Sequence, residues 1–105
     1  ARGVYNDGVN IAADMGAPVT VSAIGTVAFV GDNIKNFGKL VLVKHDGGII
    51  TAYAHLDSIS VNEGDVLYAG DPIGNVGTTG RVDRPQLHFE IRKSRKPIDP
   101  RSLIS

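Results

Sequence analysis

Short β-branched and apolar runs separated by glycine and proline dominate this chain. The runs at 19–23, 25–30, 40–45, 49–56, 66–68, 73–76 and 86–93 fit strands, each bounded by turn-forming residues. No segment sustains a 3.6-residue apolar period between a starting cap and a glycine stop. The pattern therefore predicts an all-β fold. Lys44-His45-Asp46-Gly47-Gly48-Ile49 is the strongest hairpin signal, because Asp and Gly accept the backbone angles that a tight turn demands. Val61-Asn62-Glu63-Gly64-Asp65-Val66 and Gly70-Asp71-Pro72-Ile73-Gly74 predict two glycine-turned corners of a folded-over sheet. Pro97-Ile98-Asp99-Pro100 reads as an extended closing segment, since each proline disfavours helix in the residue before it.

Strand parity carries functional content, because alternate residues face opposite sides of a sheet. Along 49–56 it puts Ile50, Ala52, Ala54 and Leu56 on one apolar face and Thr51, Tyr53 and His55 on the other. Along 86–93, Leu87, Phe89 and Ile91 face one way, and Gln86, His88, Glu90 and Arg92 the other. Both histidines are thereby expected to leave the core, and two polar strand faces to line one groove.

Composition narrows the class. At 105 residues the chain is expected to form one domain, residues 1–105, with one core. Hydrophobic content of 42% and charged content of 21% fit a folded chain rather than a disordered one. No apolar run is long enough for a membrane span, and no signal peptide is seen. Ala1 at the start points to a processed or excised form. There is no Cys, which excludes disulfides and thiolate metal sites. The zero net charge conceals an asymmetry: residues 1–80 hold four Lys or Arg against eight Asp or Glu, and residues 81–105 hold seven against three. A basic end is an ordinary solvated face or a steering patch for an anionic partner. A pI near 7.1 and 6% aromatic residues argue against nucleic-acid binding.

Three segments carry the candidate chemistry: Asn6-Asp7-Gly8-Val9-Asn10, Tyr53-Ala54-His55-Leu56 and Gln86-Leu87-His88-Phe89-Glu90. In order and content they resemble the signature blocks of the lysostaphin-type (LytM-like) metallopeptidases, which cut peptide cross-links in bacterial cell walls. Gly16-Ala17-Pro18-Val19, the 38–47 and 51–56 stretches, and Gly77-Thr78-Thr79-Gly80 extend that resemblance over nearly the whole chain. It implies a compact antiparallel β-sandwich or open barrel of the LytM type. The glycine corners also occur in biotinyl and lipoyl carrier domains. Lys35, Lys39 and Lys44, however, lie in neither a Met-Lys context nor a lipoyl-type hairpin tip.

The family reads His-x-x-x-Asp in its first block and His-x-His in its last. Carried over by position, the resemblance places zinc ligands at Asn6, Asn10 and His88, and residues assisting the reaction at His55 and Gln86. Two of the three ligand positions are thus carboxamides, poor partners for zinc beside imidazole or carboxylate. Gln86 has no basic nitrogen with which to exchange a proton. No metal and no cofactor are expected, and Asn6, Asn10, His55, Gln86 and His88 read as vestigial positions. His45 reads as a surface histidine beside a turn, and Ser58 and Thr79 lack a recognisable base.

Within the family these departures resemble the degenerate LytM group of the DipM, NlpD and EnvC type. That resemblance implies a periplasmic, noncatalytic regulator that binds and activates N-acetylmuramoyl-L-alanine amidases at division. The expected partner groove comprises Tyr53, His55, Gln86, His88, Arg81 and Arg84. Alternatives are a module that binds peptidoglycan itself and a residual zinc endopeptidase.

Overall fold

A computed structural model describes residues 4–80 and 82–94 of the chain. Eight strands form an antiparallel sheet: β1 (Val4–Ala12), β2 (Pro18–Thr20), β3 (Gly25–Ile34), β4 (Gly38–His45), β5 (Ile49–Ile59), β6 (Val66–Leu67), β7 (Pro72–Val76) and β8 (Gln86–Ser94). They lie in the order β1-β8-β5-β4-β3-β6, while β2 pairs with β7 and β7 joins the sheet through β5. Among the described residues the one helical element is a single 3-10 turn, Asp46–Gly48, so the all-β antiparallel fold stands. That turn is the predicted hairpin; it closes β4 onto β5 with His45 opposite Ile49.

The two glycine corners form as well, and by one device used twice. The Asp65 carboxylate accepts the Asn62 N–H at 2.9 Å, and the Asp71 carboxylate accepts the Tyr68 N–H at 2.8 Å. Each acid also returns its own N–H to the carbonyl of the residue it caps. A short acid side chain thus satisfies backbone donors that the turn would otherwise leave open.

The strand pattern missed β1. Its sequence, Val4 to Ala12, contains Asn, Asp and Gly, which weaken any strand signal. It forms because it pairs along its whole length with β8, from Val4 opposite Ser94 to Ala12 opposite Gln86. Tertiary pairing overrides local preference here. Strand ends also shift: β3 runs on to Ile34 and β5 to Ile59, while β2 covers Pro18–Thr20 only. The 97–100 segment lies outside the described residues.

Both faces of the central strands are buried, so the simple apolar/polar alternation expected for β5 does not hold. One face carries Val41, Val43, Tyr53, Leu56 and Ile73 together with Val19, Val21 and Val27. The other carries Leu40, Leu42, Ile50, Ala52 and Ala54, covered by Phe29, Ile34 and Phe37. Parity would put Leu56 with Ala54, yet it sits on the Tyr53 side. The cause is His55, whose φ of +66° lies in the left-handed region. A non-glycine residue there is uncommon and signals a bulge or bend. On β5, Tyr53 to Leu56 spans three steps opposite two on β4, from Val41 to Lys39. The added residue reverses the parity and turns the strand. Before the bulge β5 lies between β4 and β8; beyond it, Leu56 to Ile59 pair with β7.

Candidate functional site

Residues opposite one another in an antiparallel pair share a face. Asn10 stands opposite His88 and His88 opposite Ala54; Gly8 is opposite Glu90 and Glu90 opposite Ala52. Asn10, His88 and Glu90 therefore project from one side of the sheet, beside the smaller apolar cluster. The bend in β5 brings His55 alongside, with ring centroids of His55 and His88 6.1 Å apart. Asn10, Asn36, Phe37, His55, Val82, Asp83, Gln86 and His88 line a recess of about 390 Å³. Four of the residues expected at the site thus meet, although 45 residues separate Asn10 from His55 in sequence.

The β1–β8 side is a closed polar network. Both ring nitrogens of His88 are engaged: Nδ1 lies 2.6 Å from Asn10 Oδ1, and Nε2 lies 2.6 Å from Glu90 Oε2. Arg92 Nε donates to the other Glu90 oxygen at 2.8 Å. Glu90 is 7% exposed. Burial alone would raise its carboxyl, but the bonds from His88 and Arg92 and their positive charge outweigh it and hold the group below the ordinary carboxylate range. An ionised carboxylate only accepts, so His88 Nε2 carries a proton. The Asn10 carboxamide can serve Nδ1 either by donating N–H or by accepting through oxygen. Gly8 makes room for the pair: a Cβ there would lie 3.0 Å from Glu90 Cγ and 3.1 Å from His88 Cε1.

The opposite side is built on backbone. His55 is 5% exposed; its N–H donates to Phe37 O at 2.9 Å, and its Nδ1 lies 2.8 Å from Thr79 O. A carbonyl cannot donate, so Nδ1 holds the proton and the neutral ring keeps an acceptor lone pair on Nε2. Burial lowers the pKa of His55, and nearby His88 lowers it further, against the opposing bond to Thr79. Thr79 also fixes its surroundings, donating to Leu56 O at 2.6 Å and accepting from Lys39 N at 3.1 Å. The Asn36-Phe37-Gly38 turn packs on the 77–80 loop so closely that any Cβ on Gly38 (φ +68°) would collide with the Gly80 backbone. This contact brings Phe37 over the recess, its ring centroid 6.0 Å from that of His88.

Several site expectations need correction. Tyr53 does not line the recess; it is 1% exposed in the larger core, its ring 5.4 Å from Phe89. It follows the parity of the strand before the bulge, and that face is core. His55 lines the recess but does not leave the interior, because its backbone and ring are tied to Phe37 and Thr79. His45 is not a simple surface histidine: Nδ1 lies 2.7 Å from Ile24 O and Nε2 2.8 Å from Thr51 Oγ1. Arg84 is exposed on the loop before β8, and its carbonyl accepts from Gln86 Nε2 at 3.3 Å. Arg81 and the side chain of Asn6 lie outside the described residues; the Asn6 backbone pairs with Arg92. Sequence reading missed Asn36, Phe37, Val82 and Asp83 as recess residues. An Asn-x-Gly turn at 36–38 was a readable signal, whereas nothing local marks Val82 or Asp83.

The donors described at this site suit a zinc ion poorly. His88 has no nitrogen unengaged, and Asn10 offers only a neutral amide.

Residues 4–100 match the model of Peptidase family M23. The chain is 48% identical to "Cell division protein DipM" of Caulobacter vibrioides, over 97% of its own length and 18% of that protein. It is 42% identical to "DD-carboxypeptidase/endopeptidase Mpg" of Neisseria meningitidis, over 91% of its length and 22% of that protein. With "Murein hydrolase activator NlpD" of Salmonella typhimurium the identity is 36%, over 90% and 25%. The catalytic domain of the antimicrobial peptidase lysostaphin from Staphylococcus simulans superimposes with a TM-score of 0.78 at 30% identity, covering 88% of this chain and 69% of that one. The chain thus spans about a fifth to a quarter of these curated relatives. It belongs to Peptidase family M23, the LytM-type domains.

Proposed function

We propose that residues 1–105 form one noncatalytic domain that regulates cell-wall hydrolysis by binding and activating periplasmic peptidoglycan amidases through the recess. The observation that carries this reading is the engagement of His88 on both ring nitrogens by Asn10 and Glu90. Asn10 and His88, two of the three carried-over ligand positions, bond to each other, which supports a recess that keeps its shape without an ion. A recess made for an extended peptide remains able to take a segment of another protein. The names of DipM and NlpD, a cell-division protein and a murein hydrolase activator, support a regulatory role; Mpg and lysostaphin are named as peptidases, which makes the ligand chemistry the deciding point. His55, Gln86, His88, Arg84 and Arg81 are the proposed contact residues.

Activation requires that the domain bind the amidase's open state better than its closed state. The test is release of labelled fragments from peptidoglycan by candidate amidases, with and without the domain, beside a zinc measurement on the same sample. Stimulated release with no activity of the domain alone is expected. Pelleting with purified sacculi separates a peptidoglycan-binding module, which would bind directly and lose binding when His55 or His88 is replaced. Stoichiometric zinc together with cross-link cleavage would overturn the proposal in favour of a peptidase.

A further inference from the structure

One buried atom of the recess has its polarity fixed and its partner missing. His55 is 5% exposed and its Nδ1–H is committed to Thr79 O, so Nε2 carries a lone pair with no partner among the described residues. Among those residues no side-chain N or O atom shut off from solvent lacks a partner, so Nε2 is open, and the opening is the recess that His55 lines. The other polar groups of the wall select less. Asn10, Asn36 and Gln86 are carboxamides; each carries N–H and oxygen and can turn to offer either. His88 has both nitrogens engaged, and Asp83 is exposed at the rim. His55 also sits on a backbone that suits it poorly, since Gly or Asn would accept a φ of +66° at lower cost. That bulge carries the imidazole to the recess, and Thr79, itself bonded to Leu56 O and Lys39 N, holds it there. The ring is not free to turn and offer an N–H instead.

Resting on the amidase-activator reading, we propose that His55 sets the polarity of what the recess accepts: the partner protein's bound segment must place a hydrogen-bond donor, N–H or O–H, against Nε2. An occupant shields Nε2 from solvent. Without a donor it leaves the lone pair dry, at the full desolvation cost of that atom. With one, the bond forms beside the apolar walls of Phe37 and Val82, where a low dielectric strengthens it. A segment presenting a carbonyl or carboxylate at that point is rejected, and one presenting an amide or hydroxyl is held. His88, with ring centroids 6.1 Å apart, takes no part, because its nitrogens are spent on Asn10 and Glu90. Sugar hydroxyls and peptide amides of the cell wall share this donor chemistry, and sacculus binding separates them from a protein segment.

The experiment blocks that lone pair by exchanging His55 for Nε2-methylhistidine, which keeps Nδ1–H for Thr79 O. The far-UV spectrum and urea midpoint should match the parent. Affinity for a stimulated amidase should fall about tenfold, the effect of losing one hydrogen bond whose donor stays buried. His55→Asn, which keeps the left-handed backbone and adds no bulk, should lose affinity to a similar degree. In the parent with nitrogen-labelled histidine, Nδ1 should resonate as a protonated nitrogen and Nε2 as an unprotonated one, and bound amidase should shift Nε2 while Nδ1 stays. That measurement needs no variant, so it decides the matter even where a variant unfolds. Nε2 found protonated in the free domain, Nε2 unmoved by bound amidase, or undiminished affinity in either folded variant would overturn the assignment and leave the activator reading standing. Loss of sacculus pelleting on methylation, with amidase binding intact, would also overturn it, by assigning the donor to the cell wall. If the parent neither binds nor stimulates any amidase, the activator reading itself fails, a result distinct from the others.

Discussion

The two sides of the recess solve different problems with the same residue type. On the β1–β8 side, His88 is spent: Asn10 and Glu90 engage both its nitrogens, Arg92 holds the other Glu90 oxygen, and the result ties the edge strand to its neighbour. On the other side, His55 is anchored through one nitrogen to the Thr79 carbonyl and keeps the second free. One histidine builds and its neighbour, 6.1 Å away, is left able to bind. The two histidines of one recess therefore need not share one role. A ligand position must find new partners or leave a buried polar group unpaired, whereas a position that only faced the ligand can stay as it was.

The largest expected effect comes from breaking the building side. Glu90→Ala removes the carboxylate shared by His88 and Arg92. Because those partners are partly solvated, the loss should lie near the lower end of the about 3–5 kcal/mol typical of breaking a buried pair. Urea unfolding gives the value, and hydrogen exchange should show β1 opening first. Thr79→Ala comes next, at about 1–3 kcal/mol, since Lys39 N loses its acceptor and Leu56 O its donor. The same change should cut amidase stimulation, because the loop that holds His55 loosens.

Stability should also fall on acidification, with both sides contributing in the same direction. The folded pKa of Glu90 lies below its ordinary 4.5 and that of His55 below its ordinary 6.5. In each case the unfolded chain binds more protons, so folding is favoured above the ordinary value and loses that contribution as pH drops. His55 gives the first decline below about pH 6.5 and Glu90 a second below about pH 4.5. Unfolding midpoints from pH 8 down to about pH 3 test this; His55→Asn, which tolerates the left-handed backbone, should remove the first decline. At the small end, Asp32→Asn breaks the exposed pair with Lys39 and should change stability by no more than about 1 kcal/mol. A larger loss there would mean that the surface of the β3–β4 hairpin matters more than its packed Phe37.

Much of this architecture was legible in the sequence because local chemistry dictated it. The Asp46-Gly47-Gly48 turn and the two Gly-Asp corners each appear where the turn residues stand, the corners closed by their own Asp side chains and docked on Val27 and Val21. Parity along β8 was readable for the same reason: Gln86, His88, Glu90 and Arg92 do share a side. What escaped depends on distant contacts. Strand β1 exists through its pairing with β8, against the weak preference of Asn6, Asp7, Gly8 and Asn10. Along β5, alternation fails at one residue, His55, where a positive φ reverses the parity of Leu56. Tyr53 was misassigned because both faces of a central strand are buried, and its hydroxyl finds Thr51 within the core. Asp83 had no local signal, since only the folded loop brings it to the recess.

Fragment release from labelled sacculi, measured for an amidase alone, for the domain alone, and for the two together, separates a regulator from a hydrolase. Background release by the domain, modest release by the amidase, and a clear increase with both are expected. Release by the domain alone, with no effect on the amidase, would contradict the regulatory reading.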